Sequence, residues 1–161
     1  MLGTVMNGLL LRDCLVAHGV DASVSCAFGI DGVLPAFSAE QSRRDLDDGK
    51  IVVLSGGTGN PFFTTDTTAC LRALELDADT VMKATRVNGV YDRDPEQYSD
   101  AVRYDRLSFD QAISEDLKIV DTTALTLCRE HNLRLRVLDL GIENNLSQAM
   151  TDLTIGTLVE N

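Results

Sequence analysis

Apolar runs of strand length take turns with helical segments along this chain. Val5, Leu9, Leu10 and Leu15 recur at helical spacing and predict a helix over 4–18, with Gly19 as its stop. Ala22–Phe28 reads as a strand, followed by a turn marked by Gly29, Gly32 and Pro35. Ser38 is a suitable N-cap for a polar helix ending at Gly49. A buried strand follows at 50–55, then a glycine-rich loop, a helix from about Asp66 to Leu76, and a strand near Thr80–Ala84.

The segment from Val87 to Pro95 is too rich in turn formers to predict regular structure. Ser108 with Gln111 predicts a capping box for the next helix. Asp121 or Thr122 caps another that runs to about His131. Leu133–Leu140 is strand-like, Asn145–Asp152 predicts a short helix, and Thr154–Val159 a final strand.

Strands alternating with helices imply an α/β protein with a largely parallel sheet covered on both faces. No repeat, low-complexity tract or linker interrupts the 161 residues, so one domain is expected. A doubly wound sheet ordinarily opens with a strand, whereas this chain opens in an apolar helix. The expectation is therefore an incomplete piece of a larger fold.

Charge and cysteine usage narrow the function classes. With 14 basic and 25 acidic residues the formal net charge is −11, which disfavours nucleic acid and anionic membrane surfaces as partners. No apolar run approaches the ~20 residues of a membrane span, and the first residues lack a basic leader segment. Cys14, Cys26, Cys70 and Cys128 lie far apart, without a CxxC pair and with only two histidines. That pattern predicts reduced, mostly buried thiols of a cytoplasmic protein, with no disulfide framework or metal site.

Three stretches carry candidate chemistry. The first is the loop Gly56-Gly57-Thr58-Gly59-Asn60-Pro61-Phe62-Phe63-Thr64-Thr65-Asp66 between strand and helix. Backbone amides converge at such a place and the helix dipole favours an anion. It matches neither the Walker A sequence nor GxGxxG. Thr58, Asn60, Thr64 and Thr65 add hydrogen-bonding groups, and Phe62 or Phe63 could stack on a base or sugar. The bland alternative is an ordinary turn with one phenylalanine folded into the core.

The second is Lys83, in an apolar strand ending, which either snorkels or meets an anion such as a transferring phosphoryl group. The third is Gly89–Pro95, where Tyr91 could lie near a base and Asp94 on a ribose; a solvated turn is the alternative. Asp66 and Asp121 are placed as helix N-caps, which alone accounts for them. The apolar run before Asp121 adds the possibility of a buried carboxylate facing a lysine.

Taken together, residues 54–66 and the run Lys83-Ala84-Thr85-Arg86-Val87-Asn88-Gly89-Val90-Tyr91 closely resemble the bacterial uridylate kinase (UMP kinase) family of the amino-acid-kinase superfold. Residues 1–8 and 117–121 resemble further motifs of that family, in the same order, so the likeness covers nearly all of the chain. It implies a three-layer αβα sandwich with a mostly parallel sheet, usually assembled as a hexamer, and Mg2+- and ATP-dependent phosphorylation of UMP to UDP. By the same resemblance Thr58, Gly59, Asn60, Pro61, Phe62, Phe63, Thr64 and Thr65 would hold UMP, while Thr85, Tyr91 and Asp94 would contact ATP. Lys83 would stabilise the transferring phosphoryl group, and Asp66 and Asp121 would orient catalytic lysines. Asn88 stands where many members have aspartate.

The family's amino-terminal third, with its opening strand, a lysine, a second glycine-rich loop and an arginine on the phosphates, has no counterpart in this sequence. Losing half of a phosphoryl clamp at ~4 kcal/mol of transition-state stabilisation would lower turnover about a thousandfold. Two rival readings are a related kinase acting on a carboxylate or carbamate, and a non-catalytic nucleotide-binding or oligomer-forming remnant. The paired phenylalanines favour UMP over the first.

Overall fold

The computed structural model describes residues 1–161, which divide into two compact units, Met1–Thr68 and Ala69–Asn161. The boundary falls inside a helix.

The first unit opens with α1 (Leu2–Ala17) and continues through β1 (Ala22–Cys26), α2 (Ala39–Asp47) and β2 (Ile51–Ser55). β1 and β2 pair in parallel, with Ala22 opposite Ile51 and Cys26 opposite Ser55. Val5, Val24, Cys26 and Leu34 form its small buried core. Gly8 lets α1 lie close to this pair, since a Cβ there would meet Ser55 and Val24 at 3.3 and 3.4 Å. Ser38 caps α2 as its sequence predicts, its hydroxyl accepting the Gln41 amide.

The helix α3 (Thr65–Glu75) leads into the second unit, which holds β3 (Thr80–Thr85), β4 (Val90–Tyr91), β5 (Arg103–Tyr104), β6 (Arg106–Ser108), α4 (Phe109–Ser114), α5 (Thr122–Glu130), β7 (Arg134–Asp139), α6 (Asn145–Ala149) and β8 (Thr157–Glu160). The sheet order is β3-β7-β8-β6. β3 runs parallel to β7 and β6 parallel to β8, while β7 and β8 are antiparallel. The chain is thus an α/β protein with mostly parallel strands, as the alternation of elements predicts.

Alternation along β7 explains the packing of this unit. Leu135 and Val137 join Phe109, Ala124, Leu125, Cys128 and Val159 in the main core. Burying a leucine, valine or phenylalanine of this set contributes roughly 1.5–3 kcal/mol. Arg136 and Leu138 point the other way and are also buried, Arg136 only 2% exposed. The Arg136 guanidinium donates from one nitrogen to the carbonyls of Ala149 and Asp152, at 3.1 and 2.7 Å, tying α6 and the turn after it to the strand. Its burial pushes the guanidinium pKa down, the near neighbour Arg134 acting in the same direction.

Three expectations change. Val90–Tyr91 is a short strand pairing with Arg103–Tyr104, in a stretch whose turn formers predict none. The last strand starts at Thr157 rather than Thr154, because Asp152 ties the Thr154 amide and hydroxyl into a turn. The capping box of α4 is half made: Ser108 accepts the Gln111 amide, but the Gln111 side chain donates to Glu115.

Candidate functional site

In the first unit, the glycine loop leaves β2 at Ser55. Gly56 has φ +79°, and a Cβ there would collide with Cys26 Sγ and crowd the Phe28 ring at 3.2 Å, so the position admits only glycine. Its amide donates to Thr4 Oγ1 at 3.1 Å, fastening the loop to the start of α1. Thr58 Oγ1 accepts the Asn60 amide at 3.1 Å and shapes the turn that follows.

The loop carries Thr58, Gly59, Asn60, Pro61, Phe62, Phe63 and Thr64, and Thr65 opens the helix that follows. Phe62 sits at φ +69° and is fully exposed, and Phe63 is 55% exposed. Neither ring enters the core, so the ordinary-turn alternative with a folded-in phenylalanine does not hold.

Asp66 is not the N-cap. α3 begins at Thr65, and Thr64 Oγ1 accepts the Thr67 amide at 3.1 Å, which places Asp66 in the first turn. A carboxylate there complements the helix dipole without capping it. The short threonine reaches the amide from one residue before the helix, so the acid is displaced inward.

In the second unit, a cleft of about 560 Å³ opens at the carboxyl end of β3. Ligands of open α/β sheets bind outside the carboxyl ends of the strands. One wall is the β4 segment with Tyr91 and Asp94; the other is the loop Glu115–Ile119; Lys83 and Thr85 supply residues from β3. The structure thus gathers Lys83, Thr85, Tyr91 and Asp94 in one cavity.

Lys83 is half-buried, and its ammonium donates to the Ile119 carbonyl at 2.8 Å, so the side chain is tethered across the cleft. Thr85 Oγ1 accepts the Val87 amide at 3.0 Å and turns the chain out of β3. Asp94 accepts the Glu96 amide at 2.9 Å and the Gln97 side chain at 2.7 Å, which sets the end of the β4 wall. Asp121, two residues beyond Ile119, caps α5 by accepting the Ala124 amide at 3.1 Å. That agrees with its sequence reading as a cap.

Four contributors to the cleft or its frame were not singled out from the sequence. Lys118 adds a cation to the lining beside Lys83 and Arg93. Asp92 accepts the Val102 amide at 2.8 Å, which holds its carboxyl below the usual range despite partial burial, with Arg93 helping at 3.2 Å. Glu115 accepts from the Tyr104 hydroxyl at 2.9 Å, and that contact pushes the phenol pKa up. Thr157, fully buried in β8, accepts the Val90 amide at 2.8 Å. For Asp92 a signal existed in its place beside Tyr91; for Thr157 none did, because its partners lie far away in sequence.

Together the two sites offer a rim of amides, hydroxyls and exposed rings, and a cleft pairing cations with an aromatic face. Such features suit phosphate-bearing ligands. Residues 1–139 match the model of the amino acid kinase family. The chain is similar to the uridylate kinase of Francisella tularensis subsp. holarctica (strain FTNF002-00 / FTA), 48% identical over 159 residues, covering 99% of this chain and 64% of that protein. The uridylate kinase of Acinetobacter baumannii is 47% identical over 97% of this chain and 63% of its own length. Among solved structures, the UMP kinase from Bacillus anthracis superposes with a TM-score of 0.94 at 29% identity, covering 99% of this chain and 66% of that one. The UMP kinase from Ureaplasma parvum gives 0.93 at 31% identity, covering 100% and 69%. The chain therefore spans about 64% of the length of the curated relatives it matches. The glycine loop and the cleft lining lie within residues 1–139, with Thr157 beyond them, and the chain belongs to the amino acid kinase family.

Proposed function

We propose that this protein serves ATP-dependent phosphorylation of UMP to UDP, with ATP in the cleft of the second unit and UMP on the glycine loop of the first. The observation that carries the reading is the convergence of Lys83, Thr85, Tyr91 and Asp94 on one cavity at a strand end. Tyr91 offers a face for the base, Asp94 an acceptor for the ribose, and Thr85 a hydroxyl at the mouth. Lys83 meets the transferring phosphoryl group. An ammonium carries three donors, so the Ile119 carbonyl orients it while its charge stays available to phosphate oxygens.

On the loop, Thr58, Gly59, Asn60, Pro61, Thr64 and Thr65 hold the polar groups of UMP, and Phe62 and Phe63 give it an apolar surface. By the family resemblance Asp66 and Asp121 act on the orientation of catalytic lysines, of which Lys83 lines this cleft. The chain has no group of three or more His, Cys, Asp or Glu side chains arranged for a metal ion, so a protein-built Mg2+ site does not fit these residues. In this reading Mg2+ enters with the ATP phosphates as part of the substrate. The reading also takes both units as parts of one amino-acid-kinase-like domain, in a cytoplasmic homo-oligomer. No helix is long and apolar enough to cross a membrane.

Calorimetric titration with ATP and with UMP tests the assignment. Base–aromatic stacking predicts that Phe62→Ala weakens UMP binding about tenfold and spares ATP, while Tyr91→Ala does the reverse. In a chain completed with the family's amino-terminal third, Lys83→Ala lowers turnover more than it changes either affinity, because its charge matters most in the transition state. Equal effects of Phe62→Ala and Tyr91→Ala on both ligands would remove the division of labour. In the completed chain, ADP release that is the same with UMP, CMP and no acceptor would remove UMP as the substrate.

A further inference from the structure

One hydroxyl ties the β4 wall of the cleft to β5, whose Tyr104 side chain reaches Glu115 in the other wall. Thr157 is fully buried in β8 and receives the amide of Val90, on the β4 wall, at 2.8 Å. Its own proton goes to the carbonyl of Tyr104 in β5. The Tyr104 ring then carries its phenol to Glu115, on the opposite wall, at 2.9 Å. A threonine hydroxyl has one proton to give, and here it goes to Tyr104 while an oxygen lone pair accepts from Val90.

The neighbouring backbone is fitted to that hydroxyl. Gly89 has φ +125°, and a Cβ there would collide with Thr157 Oγ1 and crowd Arg103 Cδ at 3.0 Å. The guanidinium of Arg103 donates to the Asn88 carbonyl at 3.3 Å, so the strand entering the cleft is gripped on both sides of Gly89.

We propose that Thr157 is a positioning residue for the nucleotide: its hydroxyl fixes the distance between the Tyr91 wall and the Glu115 wall. The inference rests on the reading of this cleft as the ATP site. Thr157 touches no ligand in this scheme and acts through Val90 and Tyr104. Thr157→Val keeps the shape of the side chain and deletes the hydroxyl, leaving the Val90 amide buried without an acceptor. Thr157→Ser keeps the hydroxyl.

The experiment measures, on the full 161-residue chain, ATP affinity by calorimetry and hydrogen exchange of the Val90 amide by NMR, for the unsubstituted protein and both variants. The expected result is ATP binding weakened about tenfold or more and Val90 exchange accelerated in Thr157→Val. Thr157→Ser restores both, and UMP affinity is unchanged throughout. If Thr157→Val fails to fold, Gly89→Ala, which pushes the same hydroxyl aside, takes its place. Unchanged ATP affinity in a folded Thr157→Val protein overturns the positioning role and leaves the cleft assignment standing. Equal loss of ATP and UMP binding in that variant also overturns it, as the mark of general destabilisation. Absence of ATP binding by the unsubstituted chain overturns the cleft assignment and this inference with it.

Discussion

The carboxylate of Asp92 shows how a single side chain braces the lining of a cleft through the backbone. It accepts the Val102 amide across the β4–β5 loop and sits beside Arg93, and the amide contact is the larger influence on its acidity. Its pKa is depressed in the folded state, so its contribution is present at neutral pH and is lost as pH falls through the folded value. Asp92→Asn retains an acceptor oxygen but does not titrate. The expected outcome is a shallower loss of stability on acidification, read as the urea midpoint against pH from about 6 to about 2. An acid limb identical to the unsubstituted protein's would show that the contact does not link to folding. At this scale the sequence drew attention to Lys83, a cation in an apolar strand ending, whereas Tyr91 and Asp94 stood out through the family resemblance, a solvated turn being the other reading of their loop. Asp92 and Lys118 were hidden in the same stretches, since charge in a loop has the same signature whether it is solvated or framing a cavity. The misplacement of Asp66 has a local cause: Thr64 and Asp66 are both competent caps, and only backbone geometry selects one.

Helix ends repeat one device through the chain. After α1, α2, α3, α4 and α5, the two residues past the cap return their amides to the last turn, as in Gly19 to Val16 with Val20 to Leu15, and Asn132 to Arg129 with Leu133 to Cys128. This paired closure satisfies end carbonyls and turns the chain sharply toward the next segment. The residue in the left-handed conformation is glycine after α1 and α2, but Asp77, Asp116 and Asn132 after the others. The glycine stops were legible; the acidic and amide ones were not, because Asp and Asn adopt this conformation less often than they cap or form turns. A β-branched residue fits it poorly. Asn132→Val is expected to cost about 1–2 kcal/mol, measured as a shift in urea midpoint without a change in slope. A variant as stable as the parent would mean that the end of α5 refolds around the substitution. The short strands β4, β5 and β6 escaped prediction for a related reason: two or three residues contain no period to detect.

At the scale of the whole molecule, alternating elements announced parallel pairing, and β1–β2 and β3–β7 pair that way. Partner identity and direction were not legible. Nothing local in Thr157–Glu160 says that this strand lies antiparallel to β7 while running parallel to β6. Those facts depend on contacts between residues tens of positions apart, for which a single sequence carries no record. The family resemblance supplied the fold where periodicity could not, and the superpositions with UMP kinases bear it out.

The place of β8 governs when the second unit can fold. It is the latest strand in sequence, yet it lies inside the sheet, between β7 and β6. During synthesis β3 and β7 can pair earlier, but β6 has no sheet neighbour other than β8, and the hydroxyl that joins the cleft walls belongs to β8 as well. β6 is made some fifty residues ahead of its partner, a wait of several seconds at ordinary elongation rates. In that interval the apolar Leu107, which the finished sheet buries, lacks its neighbour Val159. Ribosome-stalled chains should therefore gain protease resistance in this unit only once β8 has cleared the exit tunnel, as a single late step. Resistance acquired with β7 alone would show that the sheet tolerates an open centre. On this ordering the cleft, framed in part by the β8 hydroxyl, is the last part of the unit to form.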